Sequence, residues 1–105
     1  MDIQLKKGIL EFCVLAALYQ TDSYGYQIIK DISPCIEISE STLYPILKRL
    51  EANACVETYS VEHNGRLRKY YRITPKGRER AQEFLNDWQQ LLQIYEFVKG
   101  AINHE

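Results

Sequence analysis

The dipeptide Asn64-Gly65, set between two runs rich in β-branched and aromatic residues, constrains this chain more than any other feature. Both residues tolerate the positive φ that a two-residue hairpin turn demands. "CVETYSV" (Cys55–Val61) and "LRKYYRIT" (Leu67–Thr74) are therefore predicted to pair as an antiparallel hairpin. In the second strand Arg68, Tyr70 and Arg72 alternate with Lys69, Tyr71 and Ile73, so one face can pack while the other projects cations.

Ahead of the hairpin the periodicity is helical. Apolar residues fill nearly every position from Ile9 to Tyr19, and a helix over about Ile3 to Tyr19 that is apolar most of the way round is buried between other elements. "QTDSYG" breaks it and offers Thr21, Asp22 and Ser23 as N-caps for a second helix, about Tyr24 to Ile32. Gly25, Ile28, Ile29 and Ile32 share one stripe there, and Gly25 permits a close approach to a neighbour. Pro34 stops that helix, and Ile36-Glu37-Ile38 alternates like a very short strand. Ser39 then caps a third helix whose stripe is Leu43, Ile46, Leu47 and Leu50. Pro45 lies near its first turns and faces outward, and Asn53 is suited to a left-handed ending.

After the hairpin, Thr74 as N-cap and Pro75 at the first helical position open a last helix with no breaker before about Gly100. Ala81, Phe84, Trp88, Leu91, Tyr95, Val98 and Ile102 recur in a heptad-like stripe, widened by Leu85 and Leu92. So long a helix at the end of a small domain has little core of its own left to cover and needs a partner surface.

With 105 residues the chain supports one modest core. No apolar run approaches a membrane span, since "ILEFCVLAALY" is interrupted by Glu11, and the N-terminus lacks a signal-peptide layout; a cytoplasmic protein is expected. Three widely spaced cysteines without a C-x-x-C pair argue against a disulfide framework and a metal site. Cys13 and Cys55 read as core residues and Cys35 as a loop thiol. His63 in the hairpin turn and His104 in the tail have no Ser, Cys or carboxylate placed to form a nucleophile–base pair, and no glycine-rich phosphate loop is present. Neither catalysis nor a cofactor is expected.

The net charge of −1 hides a strong asymmetry: residues 64–80 hold seven bases and one acid. Screening confines charge effects to roughly 10 Å, so the local cluster governs attraction to phosphates. Helix, helix, short strand, helix, basic hairpin and long helix is the layout of a winged helix-turn-helix, mainly α with a small β-hairpin. Residues 1–74 form the DNA-binding domain and residues 75–105 a C-terminal dimerisation helix.

In that layout the third helix enters the major groove and the wing follows the backbone. Its outward arc holds Ser41, Pro45, Lys48 and Ala52, with Tyr44 and Arg49 on the shoulders. The candidate DNA contacts are Ser41, Thr42, Tyr44, Lys48 and Arg49 on the helix and Arg66, Arg68 and Lys69 on the wing. Phe84, Trp88, Leu91, Leu92, Tyr95 and Val98 are the candidate dimer contacts. A two-fold dimer meets a palindromic site in double-stranded DNA with half-sites about 34 Å apart. The rival reading is a winged-helix module that binds another protein, which has little use for seven bases within residues 64–80.

"GILEFCVLAAL", "YGYQIIK", "SESTLYPILKRLE" and "RKYYRITPKGR" occur in order over about residues 5–80, and together they resemble the PadR family of bacterial transcriptional regulators. The "TLYP-x-L-x-R-L" and "KYY-x-[IL]-T" segments are the specific part, and the length is similar to that of small members with a single C-terminal helix. The resemblance implies a homodimeric repressor, often of its own promoter and of a nearby transporter or detoxification gene, released from DNA by an effector. It places Tyr44 and Lys48 in the groove and Lys69 with its neighbouring arginines on the wing. Members that bind hydrophobic or aromatic molecules do so in a dimer-interface cavity between first and last helices, often beside a tryptophan. Trp88 is suitably placed for that role, although dimer packing is its plainer use.

Overall fold

A computed structural model describes residues 1–104 and gives the order α1 (Ile3–Tyr19), α2 (Gly25–Ile32), α3 (Glu40–Ala52), β1 (Val56–His63), β2 (Arg66–Ile73) and α4 (Pro75–Ile102). Asp2 starts α1 by accepting from the Leu5 amide at 3.2 Å. Helix α1 is the hub: Leu10, Val14, Leu15 and Leu18 are buried, and it packs against α2, α3, α4 and β2. The core closes around it with Ile28 and Ile32 from α2, the α3 stripe Leu43, Ile46, Leu47 and Leu50, and Cys55, Val56, Tyr71 and Ile73 from the hairpin.

The expected caps of α2 are not used as caps. Tyr24 occupies the N-cap position with extended backbone and no side-chain bond. The residues before it serve the wing instead: Ser23 pairs with Tyr71 in both directions, N–H to O at 3.1 and 2.7 Å, while the Asp22 carboxylate accepts from Tyr59 and Arg72. This isolated bridge is the third β segment of the fold. The strand expected at Ile36–Ile38 does not form. Its alternation serves burial alone, with Ile38 in the core and Ile36 packed against it.

The end of α3 also differs from expectation. Asn53 has ordinary backbone at φ −90°, and Ala54 takes the left-handed conformation at φ 60°. The Ala54 amide bonds to the Glu51 carbonyl at 3.0 Å and the Cys55 amide to the Leu50 carbonyl at 2.9 Å. Those two bonds define a Schellman closure, in which the left-handed residue lies one past the cap. Cys55 and Leu50, both buried, supply its apolar contact.

In the hairpin, Val56 opposes Ile73 and His63 opposes Arg66. Asn64 and Gly65 at φ 52° and 79° make the expected turn, with both central residues left-handed. Thr74 caps α4 by accepting from the Gly77 amide at 3.1 Å and donates to the Ala54 carbonyl at 2.7 Å, tying the helix start to the end of α3. The first turns of α4 lie on α1, where Phe84 stacks on Phe12 at 3.8 Å between ring centroids. From Leu85 onward every described residue of α4 is exposed, and the chain extends 64 × 26 × 21 Å. No helix among the described residues is long and apolar enough to cross a membrane.

Candidate nucleic-acid interface

With its leucine stripe buried, α3 leaves Ser41, Tyr44, Pro45 and Lys48 exposed. Thr42 is half-buried and its hydroxyl lies 3.2 Å from that of Ser39, which is also 3.0 Å from the Ser41 hydroxyl. Tyr44 is seated by Gly25, for a Cβ added there would run into the tyrosine hydroxyl and ring. Lys48 has no carboxylate partner among the described residues. Arg49 is engaged: its guanidinium bonds to the buried Glu11 of α1 at 3.2 Å.

The wing cations divide in the same way. Arg72 is neutralised, with Nε 3.1 Å from Asp22 and Nη1 3.5 Å from Glu57. The charge of Asp22 and its hydrogen bond hold Arg72 more firmly protonated than a free arginine. Asp22 also accepts from the Tyr59 hydroxyl at 2.7 Å; that bond, then burial, lifts the phenol above the ordinary tyrosine range. Arg66, Arg68 and Lys69 have no carboxylate partner among the described residues. Arg66 is exposed beside the turn. The Arg68 guanidinium lies 4.1 Å from the Tyr24 ring centroid and the Lys69 ammonium 5.5 Å from that of Tyr71. Such contacts hold a cation in place without cancelling its charge.

These pieces meet in one place. An open depression of about 400 Å³ is lined by Tyr24, Gly25 and Tyr26 of the α2 start, Tyr44 of α3, and Arg68 and Lys69 of the wing. Edge-on contact of Tyr24 with Tyr70 at 5.4 Å, and stacking of Tyr70 on Tyr59 at 5.5 Å, carry the aromatic surface across the hairpin. Ser41, Tyr44, Lys48, Arg66, Arg68 and Lys69 thus present unneutralised polar or cationic groups, while Thr42 is half-buried and the half-exposed Arg49 is paired with Glu11. Sequence reasoning overlooked Asp22, Tyr24 and Tyr59 as anchors of the wing. The signal was faint, an acid before a helix start and tyrosines with no assigned face, because their partners lie up to 50 positions away.

A second concavity, an open cleft of about 640 Å³, lies between α1 and α4 and is lined by Phe12, Cys13, Ala16, Phe84, Leu85 and Trp88. Phe84 and Trp88 are 5.7 Å apart and tilted. Burial, then the nearby Cys35 thiol, pushes the Cys13 thiol up, so it behaves as an apolar wall. Further along α4, Leu91, Leu92, Tyr95 and Val98 are exposed. No group of three or more His, Cys, Asp or Glu side chains able to hold a metal occurs among the described residues.

Comparison with known proteins agrees with this architecture. The transcriptional regulator PadR-like family matches residues 14–83. A PadR-like transcription factor of Bacteroides fragilis is 32% identical with a TM-score of 0.81, over 90% of this chain and 94% of the other. The Streptococcus mutans UA159 protein smu.1704 is 42% identical with a TM-score of 0.77, over 90% of this chain and 91% of its own. Bacillus subtilis PadR, solved with operator DNA, shares the fold at 21% identity and a TM-score of 0.67, over 73% of this chain and 46% of its own length. The extended match to the family, together with the winged-helix fold, shows that the chain belongs to the PadR-like family of transcriptional regulators, which are not enzymes.

Proposed function

We propose that the protein binds a palindromic operator in double-stranded DNA as a homodimer and acts as a cytoplasmic repressor released by a hydrophobic or aromatic small molecule. The observation that carries the DNA-binding part is the junction of Tyr44 with Arg68 and Lys69 around one open depression. In this reading α3 enters the major groove with Ser41, Tyr44 and Lys48, while Arg66, Arg68 and Lys69 follow the phosphates. Thr42, half-buried, and Arg49, half-exposed and held by Glu11, support that surface. The Bacillus subtilis PadR complex with operator DNA supports the mode by fold.

The exposed stripe on α4 supports dimerisation. Leu91, Leu92, Tyr95 and Val98 are each 44–56% exposed, on a helix that extends beyond its own core. Apolar side chains so arrayed gain about 25 cal/mol for each Å² they bury against a second copy. Phe84 is already stacked on Phe12 of its own chain, so its share of the interface is an edge beside Trp88. The cleft with Trp88 at its margin suits an apolar effector, since its walls are ring faces and small side chains.

The test is fluorescence anisotropy with duplexes tiled across the upstream region of the gene, at several salt concentrations. Binding is expected to one inverted repeat and to weaken steeply with salt. Lys48→Ala is expected to weaken it by about tenfold without changing the thermal unfolding of the protein. Absence of binding at low salt to every duplex refutes the reading and leaves the protein-interaction alternative.

A further inference from the structure

Glu11 is the buried charged residue among the described residues, with its side chain 8% exposed. Its Oε2 accepts from Arg49 Nη2 of α3 at 3.2 Å. Its Oε1 accepts from Arg80 of α4, at 3.0 Å from Nε and 2.8 Å from Nη2. Both carboxylate oxygens are therefore used, each by a different helix. Helix α3 carries the exposed face assigned to DNA and α4 the stripe assigned to the dimer, and α1 packs against both. One carboxylate thus clamps the two functional helices to the hub between them.

Stability is a poor reason for such a clamp. Arg49 and Arg80 are 49% and 44% exposed, and solvent weakens pairs of this kind. Burying a carboxylate carries a desolvation penalty that a methionine or leucine at the same place avoids. What the carboxylate supplies and an apolar side chain lacks is direction. Guanidinium–carboxylate bonds are directional, and with Arg80 holding Oε1 and Arg49 holding Oε2 the carboxylate is fixed at both oxygens by two different helices. Apolar packing alone lets helices slide and rotate by small amounts at little penalty.

We propose that Glu11 is a positioning residue for operator recognition. It sets the angle between recognition helix and dimerisation helix, and thereby the distance between the two recognition helices of the dimer. The inference rests on the DNA-binding and dimer reading above. The lever is short and sensitive. With half-sites about 34 Å apart, each recognition helix lies about 17 Å from the two-fold axis. A tilt of about 10° between α3 and α4 on an arm of that length moves each recognition helix by about 3 Å, and because the two-fold moves both, it changes their separation by up to about 6 Å, more than the 3.4 Å of one base-pair step. A clamp that holds the angle to a few degrees makes the protein select half-site spacing. Without it, the same surface accepts neighbouring spacings.

The experiment uses an operator duplex selected from a random-sequence pool by the wild-type protein, and versions with one base pair added to or removed from the centre. Affinities are measured for wild type, Glu11→Gln and Arg80→Gln, with dimer content and unfolding checked for each. Glu11→Gln keeps the shape and loses the charge. Arg80→Gln breaks the clamp from the α4 side through a half-exposed residue, and it decides the matter if Glu11→Gln fails to fold. Wild type is expected to prefer the selected spacing by about tenfold, the scale of a mismatched base pair.

Both variants should narrow that preference to about twofold while leaving the slope of affinity against salt unchanged, because no phosphate contact is lost. A merely structural role would lower the unfolding midpoint and leave the spacing ratio intact, which overturns the proposal. So does Arg49→Ala lowering the salt slope by about one with an intact ratio, since Arg49 would then be a phosphate contact. If wild type selects no duplex at all, the DNA-binding reading fails and takes this one with it. If wild type selects by spacing and both variants match it, the positioning role alone fails.

Discussion

Two glycines of the same helix should respond to the same substitution with opposite signs. Gly77 is buried in the first turn of α4. A Cβ built on it collides with the Cys55 carbonyl oxygen, and lies 2.8 Å from Ile73 Cγ1 and 3.1 Å from the Cys55 carbonyl carbon. Two of those three atoms are backbone, which cannot swing aside as a side chain can. Relief requires α4 to lift off the α3–β1 junction, where the Thr74 amide bonds to the Cys55 carbonyl at 3.0 Å and the Thr74 hydroxyl to the Ala54 carbonyl at 2.7 Å.

Overpacking a tight site costs about 1–3 kcal/mol, and straining the two Thr74 bonds adds about 1 kcal/mol. Alanine's better helix propensity returns about 1 kcal/mol. Gly77→Ala is thus expected to destabilise by about 1–3 kcal/mol. Gly100, near the far end, has nothing within 4 Å of its added Cβ, so Gly100→Ala should stabilise by about 0.5–1 kcal/mol through propensity alone. Urea unfolding followed by circular dichroism, at one fixed protein concentration, separates the pair. Equal midpoints for the two variants, or a Gly77→Ala protein more stable than wild type, would refute the claim that α4 is seated on the Cys55 carbonyl.

Gly25→Ala tests a different seat. The atoms it meets belong to the end of the Tyr44 side chain, which can move, so stability should change by less than about 1 kcal/mol. Displacing Tyr44 should instead weaken operator binding by about tenfold, read by anisotropy. Ala54 sits at φ 60°, where a Cβ costs about 1 kcal/mol, so Ala54→Gly should raise the urea midpoint by a comparable stabilisation. The Tyr59 phenol is lifted above its unfolded value near 10, so its bond to Asp22 contributes below that pH and is lost as pH rises through the lifted value. Tyr59→Phe should remove that alkaline loss, together with one tyrosinate absorbance step above the ordinary tyrosine range.

The elements that could be read from sequence are those specified by neighbours along the chain. The Asn64-Gly65 turn, the Thr74-Pro75 helix start and the α3 stripe each rest on local backbone chemistry or on one repeated interval, and each is found where expected. The failures share a different cause. Asp22 and Ser23 look like helix caps because cap propensity is local, yet a hairpin almost 50 residues later claims Asp22's carboxylate and Ser23's backbone. Ile36 and Ile38 alternate as a strand does, but alternation describes which side chains go inward and is silent on whether a pairing edge is available. Asn53 is the better residue for a left-handed turn, and the turn falls on Ala54 because the Schellman bonds need Cys55 placed over Leu50.

The same distinction sorts the cations. A sequence assigns Lys48, Arg49, Arg68 and Arg72 one charge each, and nothing local separates them. Folding spends Arg49 on Glu11 and Arg72 on Asp22, acids 38 and 50 positions away, and leaves Lys48 and Arg68 without carboxylate partners among the described residues. The net charge of the basic segment therefore overstates what faces a phosphate backbone. Arg49 and Arg72 fix α3 and the wing to α1 and to the α1–α2 connection. A DNA-binding surface that must hold its shape to within one base-pair step needs both kinds of cation: some to make contact, and others to set where the contacts are made.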